Sequence, residues 1–590
     1  MTRLSENCRS DVNRTAVTLR RLCVTTTEQS TAPAGGQHAA PTAGRGVRRL
    51  LGALAGLLAA GVALGIAELF AGFIGAASSP VIAVGNAAIT LTPESVKQFA
   101  IRTFGEDDKI ALVVGTLLII AVYALVIGLV GLRSRRLGVA GIAVFGLVGV
   151  VAALTRPAGG LFDAVPSLVG AVAGSLALLA LLRPLTLPSV GDRHPEVTST
   201  TTPGGATATT QTQDGMLGRL RDVLGSGDRK GTGLDRRGFL LTSGVAVGVT
   251  AVAGGGGRLL QRRFDVAGAR SELALPTPAS AAPALPAGAD MSASVEGLTP
   301  LFTDNREFYR VDTAITVPQI RPAEYSLELT GMFDTPRTFS LDDLLGRSDL
   351  IERDITLTCV SNEVGGGLAG TARWLGVPLG AFLRENGVRD SSDQLVCRSV
   401  DGMTIGAPTR SALDVPDAML AVAMNGEPLP VEHGFPVRML IPGLYGYVSA
   451  CKWITGIEAT TYDAFDAYWT ERDWAAQGPI KVASRIDTPA PLRRFPAGRR
   501  AIAGVAWAQT RGIGLVEVQV DDSDWMPAEL SPEVDADLWR QWVLSFDFTP
   551  GSHSVTVRAT SSDGEMQTDA RTAPFPNGAS GWHQIVVVAS

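Results

Sequence analysis

Between Leu50 and Leu182 the chain carries four long apolar segments almost free of charge, and a fifth follows at Gly238–Gly257. Coiled as α-helix, runs of this length match the ~30 Å hydrocarbon core of a bilayer. The first reaches from Leu50 into the 70s with Glu68 its one acid; the next are Ile110–Leu132, Leu137–Leu154 and Val165–Leu182. One such segment reads equally well as a buried core helix. Four in close succession do not, and they supply much of the 46% hydrophobic content.

Flanking charge orients them. Arg45, Arg48 and Arg49 precede the first span, Arg133, Arg135 and Arg136 separate the second from the third, and Arg183 follows the fourth. The loop after the first span is mixed, with Lys97, Arg102 and Lys109 against Glu94, Glu106, Asp107 and Asp108. The positive-inside rule then predicts cytoplasmic 1–49 and 184–237, with everything after about Arg258 outside. Arg258, Arg262 and Arg263 run against that rule. Asp235-Arg236-Arg237-Gly238-Phe239-Leu240 leads into the fifth span and resembles a twin-arginine export signal; the alternative is a plain anchor, with the same topology. None of the five histidines falls in a span, which excludes bis-histidine haem in the bilayer, and no Cys-x-x-Cys-His attaches haem c. The spans read as an anchor or as a docking surface for a redox partner. Residues before Leu50 and 196–215 are expected to be disordered, and the Ala/Pro-rich 275–289 to form a tether holding the following block off the bilayer. A net charge of −6 points to no nucleic-acid partner.

Cys359 dominates the chemistry. A strand-like run, Ile355-Thr356-Leu357-Thr358, delivers it into Val360-Ser361-Asn362-Glu363, and Gly365-Gly366-Gly367 follow. On spacing alone it is as well a buried inert thiol; a thiolate there would suit a soft metal. Around it runs an ordered series: Asn305-Arg306-Glu307-Phe308-Tyr309-Arg310, Cys359-x-x-Asn362, Thr371–Leu379, Met424–Pro430, His433–Arg438, Pro442-Gly443 and Lys452-Trp453. In that order the series resembles the molybdopterin-binding domain of the sulfite oxidase family. The resemblance implies a molybdenum–molybdopterin cofactor with Cys359 as the metal ligand and Arg310 beside the metal's oxo ligands, the two forming the catalytic set. It implies cofactor contacts from Asn305, Tyr309, Asp401, His433, Arg438, Ser449 and Lys452. Arg438 and Lys452 bring positive charge for a terminal phosphate, and Gly443, Gly446 and Ser449 lie in a turn whose N–H groups can wrap an anion. His433 and Asp401 are equally readable as ordinary turn residues.

The departures are informative. Plant and animal sulfite oxidases continue the cysteine motif with two arginines, where this chain has Glu363 and Val364; an acid facing a dianion costs on the order of 1 kcal/mol or more. The family's active-site tyrosine aligns with Trp474, whose indole N–H donates but cannot act as acid or base. The resemblance therefore implies an oxygen-atom-transferring oxidoreductase acting on a small substrate other than sulfite, with an external electron-transfer partner. Reduction of a sulfoxide or N-oxide on the same fold, and a cofactor-free membrane-anchored binding protein, are the alternatives.

After Arg485-Ile486-Asp487 short alternating runs appear at Ala501–Trp507, 515–520, Trp539–Phe546 and 554–559, separated by turn signals. They predict a β-sandwich resembling the family's immunoglobulin-like domain, either a homodimerisation surface or a passive cover. Cys397 and Cys451 read as two separate thiols. The expected layout is a multi-domain chain: disordered 1–49, four transmembrane helices over 50–183, a cytoplasmic linker 184–237, a fifth helix 238–257, an extracytoplasmic linker 258–298, an α+β molybdopterin-binding domain 299–486 and the sandwich 487–590. The expected location is the cell membrane, multi-pass, with the catalytic domain extracytoplasmic.

Overall fold

The computed structural model describes residues 45–93, 96, 108–185 and 236–590; the expectations on residues 1–44 and 196–215 fall outside them. Among the described residues, six α-helices open the fold: α1 (Arg45–Ile74), α2 (Pro80–Leu91), α3 (Asp108–Arg133), α4 (Arg135–Leu154), α5 (Val165–Leu182) and α6 (Arg236–Gln261). Five of them are long and apolar enough to cross a membrane, and they cover the five expected spans. The twelve-residue α2 was not anticipated; Pro80 at its first position sets the starting φ without losing a bond.

Helix α1 is the hub. Ala55, Ala59, Ala63, Ala67 and Ala71 form a buried stripe at four-residue spacing, and α3, α5 and α6 pack around it. Backbones touch: a Cβ on Gly56 would lie 2.0 Å from Ala124 O, and one on Gly257 2.4 Å from Glu68 O. Small residues therefore line the inside, while Leu118, Ile119, Leu147, Leu176 and Val252 face outward. Such inversion is how helices associate where the hydrophobic effect cannot separate inside from outside. Glu68 is satisfied near one end of the bundle, accepting from Ser79 Oγ and from Gln261 Nε2.

That end carries the second block. Gly65 meets Thr250 and Gly72 meets Gly257, so α1 and α6 run parallel; Gly52 meets Leu132, so α3 is antiparallel to both. The end of α1, the start of α3 and the end of α6 thus share one side, and there Lys109 pairs with Asp312 at 2.6 Å and Arg321 donates to Arg263 O at 2.8 Å. Residues 275–289 do not act as a tether holding the block off the bundle. Leu275 packs on the main core, Ala279 N donates to Leu350 O, and Glu352 N donates to Ser280 O. The extended Pro-rich chain offers free backbone groups, and the edge strand that begins at Ile351 takes them up.

The catalytic block holds two sheets. One orders β1 (Ser326–Gly331), β2 (Arg337–Ser340), β5 (Gln394–Ser399), β6 (Thr404–Pro408) and β10 (Ile454–Thr460) as β2-β1-β10-β5-β6; the other runs β3 (Ile351–Thr358), β4 (Ala369–Pro378), β7 (Met419–Met424) and β8 (Glu427–Pro428), with β9 (Arg438–Leu440) on β7. Leu327, Leu329, Phe382, Leu420 and Ile457 fill the core they share.

The C-terminal region is β-rich. A sheet of β11 (Ala483–Thr488), β13 (Gly498–Trp507), β17 (Arg540–Phe548) and β16 (Glu529–Leu530) shares a core around Trp542 and Phe548 with a sheet of β12 (Arg494–Phe495), β19 (His583–Ala589), β18 (Gly551–Ser561), β14 (Ile513–Val520) and β15 (Met526–Pro527). The four alternating runs fall in strands, except that Trp539 lies just before β17. A third apolar cluster, with Val360, Tyr445, Trp474, Trp507 and Trp539, joins this region to the catalytic block.

Candidate active site

Strand β3 is buried along its second half, and its last residue hands Cys359 to a closed loop. Cys359 N donates to Leu368 O, Asn362 N to Cys359 O, and Leu368 N to Asn362 Oδ1. Asn362 is thus the strut that returns the chain to β4. Gly365 turns at φ +80°, where a Cβ would strike the His583 ring, and Arg485 donates to Gly366 O. The C-terminal region therefore braces the loop that presents the thiol. Cys359 is 8% exposed. Burial raises its pKa, opposed by hydrogen bonding from Ser361 and by the charge of Lys452. A metal ion would replace that proton outright.

Tyr309 interacts electrostatically with both Cys359 and Arg438, with burial pushing its phenol far up. Its ring stacks on Phe308. Phe308 in turn meets His433 edge-on at 5.5 Å. His433 Nε2 lies 3.0 Å from Asn305 O, so the proton sits on Nε2 and Nδ1 remains an acceptor. Burial, then the cations Arg438 and Lys452, depress His433 to about 4 and keep it neutral. Asn305 bonds Met424 O and Asn425, tying its segment to the end of β7.

Arg438 is the most telling residue. It is 5% exposed, lies over the Trp374 ring, and donates to His433 O at 3.0 Å. Its Nε has no partner, and it joins no ion pair among the described residues. Burial lowers its pKa to about 10. Lys452 lies close enough to repel it; burial brings Lys452 to about 8 despite its 2.8 Å pair with Asp312. A buried guanidinium without an acid is costly alone and is matched by an anion entering beside it. Thr358 Oγ1, next to Cys359, and Trp474 Nε1 are likewise buried without partners. Together with the buried thiol, these donors are of the kinds that would meet a group with an anionic end, a polar ring and a soft metal.

Three expected residues have partners of their own within the protein. Arg310 is held by Asp312 through Nε at 2.9 Å. Asp401 caps its own turn at Met403 N. Ser449 Oγ is spent on Leu444 O and Tyr445 O, so it stiffens the turn after Gly443 through its own backbone. Sequence reading missed Asp312, Lys109, Thr358 and Tyr445. Tyr445, raised to about 12 by burial and also by Cys359, lies between Gly443 and Gly446 in the glycine-rich turn, a position that the sequence itself marks. Cys397 and Cys451 are free and buried, as expected.

Comparison with known proteins agrees with this arrangement. The family described as oxidoreductase molybdopterin binding domain matches residues 314–469. Mitochondrial sulfite oxidase of Mus musculus is 29% identical over 326 residues, covering 46% of this chain and 59% of that one. Sulfite oxidase of Gallus gallus is 27% identical over 330 residues, covering 48% and 71%. The chain thus spans 59% of the length of the mouse relative. The sulfane dehydrogenase SoxCD structure from Paracoccus pantotrophus aligns at 22% identity and TM-score 0.44, covering 50% of this chain and 84% of that one. The matched molybdopterin-binding domain, and the identity shared with the sulfite oxidases over 46–48% of this chain, support a sulfite-oxidase-like oxidoreductase with a molybdenum cofactor.

Proposed function

We propose that this is a membrane-tethered molybdenum oxidoreductase that moves an oxygen atom to or from a small substrate outside the cytoplasm. The buried Arg438 without an acid, joined to the buried Cys359 through Tyr309, which interacts with both, carries the reading. The molybdenum cofactor would supply the two-electron oxygen-transfer chemistry. Cys359 would ligate the metal, Arg438 and Lys452 would hold the terminal phosphate, and Asn305, Tyr309 and neutral His433 would orient the pterin. Arg310, Asp401 and Ser449 would act through the segments they stiffen. The C-terminal sheets would form an immunoglobulin-like sandwich that keeps water from the thiol loop, and a homodimer could use their outer faces.

Tethering is supported by the inverted bundle. Its arginine-rich ends, with Arg48, Arg49, Arg133 and Arg135, lie opposite the catalytic block, and by the positive-inside rule this supports a location of that block outside the cytoplasm. Replacing both Arg236 and Arg237 with Lys keeps charge but removes the guanidinium groups. Protease protection of the catalytic block in spheroplasts of that variant would support export through the twin-arginine-like motif; unchanged accessibility would leave α6 an ordinary anchor.

For the substrate, one observation favours the reductive direction. Trp474 keeps an unpartnered N–H in a box with Tyr447, Trp469 and Phe575. An uncharged donor in aromatic surroundings suits the neutral oxygen of a sulfoxide or N-oxide better than a dianion. Turnover with a reduced viologen donor and such oxides, exceeding ferricyanide-coupled oxidation of sulfite, is the expected result. The reverse order would return the enzyme to sulfite chemistry.

A further inference from the structure

Asp312 is a single buried carboxylate shared by three cations from three parts of the chain. Its Oδ1 receives Lys109 Nζ at 2.6 Å, and its Oδ2 receives Lys452 Nζ at 2.8 Å and Arg310 Nε at 2.9 Å. Burial pushes its pKa up, but Lys452 and Lys109, with the Arg310 bond, hold it far below the ordinary carboxylate range. Lys452 spends two of its three N–H groups on Asp312 and on Glu432 O. Lys109 is the second residue of α3, a helix of membrane-spanning length, and lies 203 positions from Asp312 in the chain. The bundle thus inserts a cation into the electrostatics of the cofactor pocket.

We propose that Lys109 is a positioning residue of the cofactor pocket, delivered by the membrane bundle. By neutralising one oxygen of Asp312, it weakens that carboxylate's hold on Lys452, whose remaining N–H can then meet the cofactor's anionic end. Seating of the catalytic block on the bundle and retention of the cofactor are then coupled through one carboxylate. Without Lys109, Asp312 would hold Lys452 and Arg310 more tightly, and more of its negative charge would be left to oppose the incoming anion. The inference rests on the reading that Lys452 and Arg438 hold that anion.

The test uses the full chain, purified in detergent, and measures pterin retained per polypeptide, after dialysis, by the fluorescence of oxidised pterin. Lys109→Met should lose pterin about tenfold faster than the parent, the range seen when a group supporting a ligand residue is removed. Lys109→Arg should restore retention, and adding Asp312→Asn to Lys109→Met should recover most of the loss, because the uncompensated carboxylate is then gone. Arg321→Ala breaks another bundle contact, at Arg263 O, without touching Asp312, and should behave as the parent. Parental retention in Lys109→Met overturns the proposal, as does failure of either rescue. Equal loss in Arg321→Ala overturns it in favour of general docking. A parent free of pterin overturns the cofactor reading itself, and this proposal falls with it.

Discussion

Replacing Arg438 with Met separates a residue kept for a ligand from one kept for the fold. The guanidinium is buried over Trp374 with one hydrogen bond and no acid. Held at about 10 rather than 12.5, it carries a charge-burial penalty of about 3 kcal/mol. The sign follows from the lowered pKa: at neutral pH the charged form is disfavoured in the fold, so the penalty is fully present and is relieved only above pH 10. Methionine fills the same space without charge but leaves His433 O unpaired, at a cost of about 1–2 kcal/mol. The cofactor-free protein should therefore gain about 1–2 kcal/mol, or ~3–6 °C in melting temperature. The cofactor-loaded protein should lose its pterin at least about tenfold faster, since a charge-assisted bond is gone. Full chain from cells unable to make the pterin, melted in detergent by circular dichroism, measures the first; pterin release measures the second. A cofactor-free Arg438→Met protein that melts below the parent would refute the reasoning, because Arg438 would then serve the fold.

Asp537, at the junction with the C-terminal region, is raised to about 7 by burial and then by Asp535 and Asp417. A raised acid contributes stability that is complete below about pH 4 and lost as pH climbs to about 7, so Asp537→Asn should stabilise the protein by roughly 2–4 kcal/mol at pH 8 and hardly at all at pH 4; melting at the two pH values checks the slope. Gly434 sits at φ +112° with its Cβ position 3.1 Å from Arg438 Cβ and 3.2 Å from Lys452 Cα. Gly434→Ala should strain the turn by about 1–3 kcal/mol and displace both cations, lowering pterin content with the far-ultraviolet spectrum unchanged. Gly257→Val should wedge α6 from Glu68 O of α1 and lower the detergent melting point, at a cost of about 1–3 kcal/mol; an unchanged melting point would mean that the two helices do not touch there.

The spans were legible because length and missing charge alone demand a bilayer or a core, and the bounds of α3 and α5 fall within about two residues of the apolar runs. Cys359, His433, Arg438 and Lys452 were legible because each sits in a short motif with its own backbone turn. Asp312 was not, since its meaning comes from Lys109 and Lys452, remote in sequence, converging on one carboxylate. The tether failed for a related reason: Pro and Ala set an extended backbone, but only the open edge of β3 decides whether that backbone finds a partner. Arg310 was named from its motif, and the structure adds the partner that the motif does not carry, Asp312 on its Nε.

The central claim is that Cys359 binds molybdenum, and X-ray absorption at the molybdenum edge tests it most directly. Full chain should show the sulfur scatterers of the cofactor plus one more, and Cys359→Ala should show one sulfur fewer with pterin still present. An unchanged sulfur coordination number in Cys359→Ala would contradict the account.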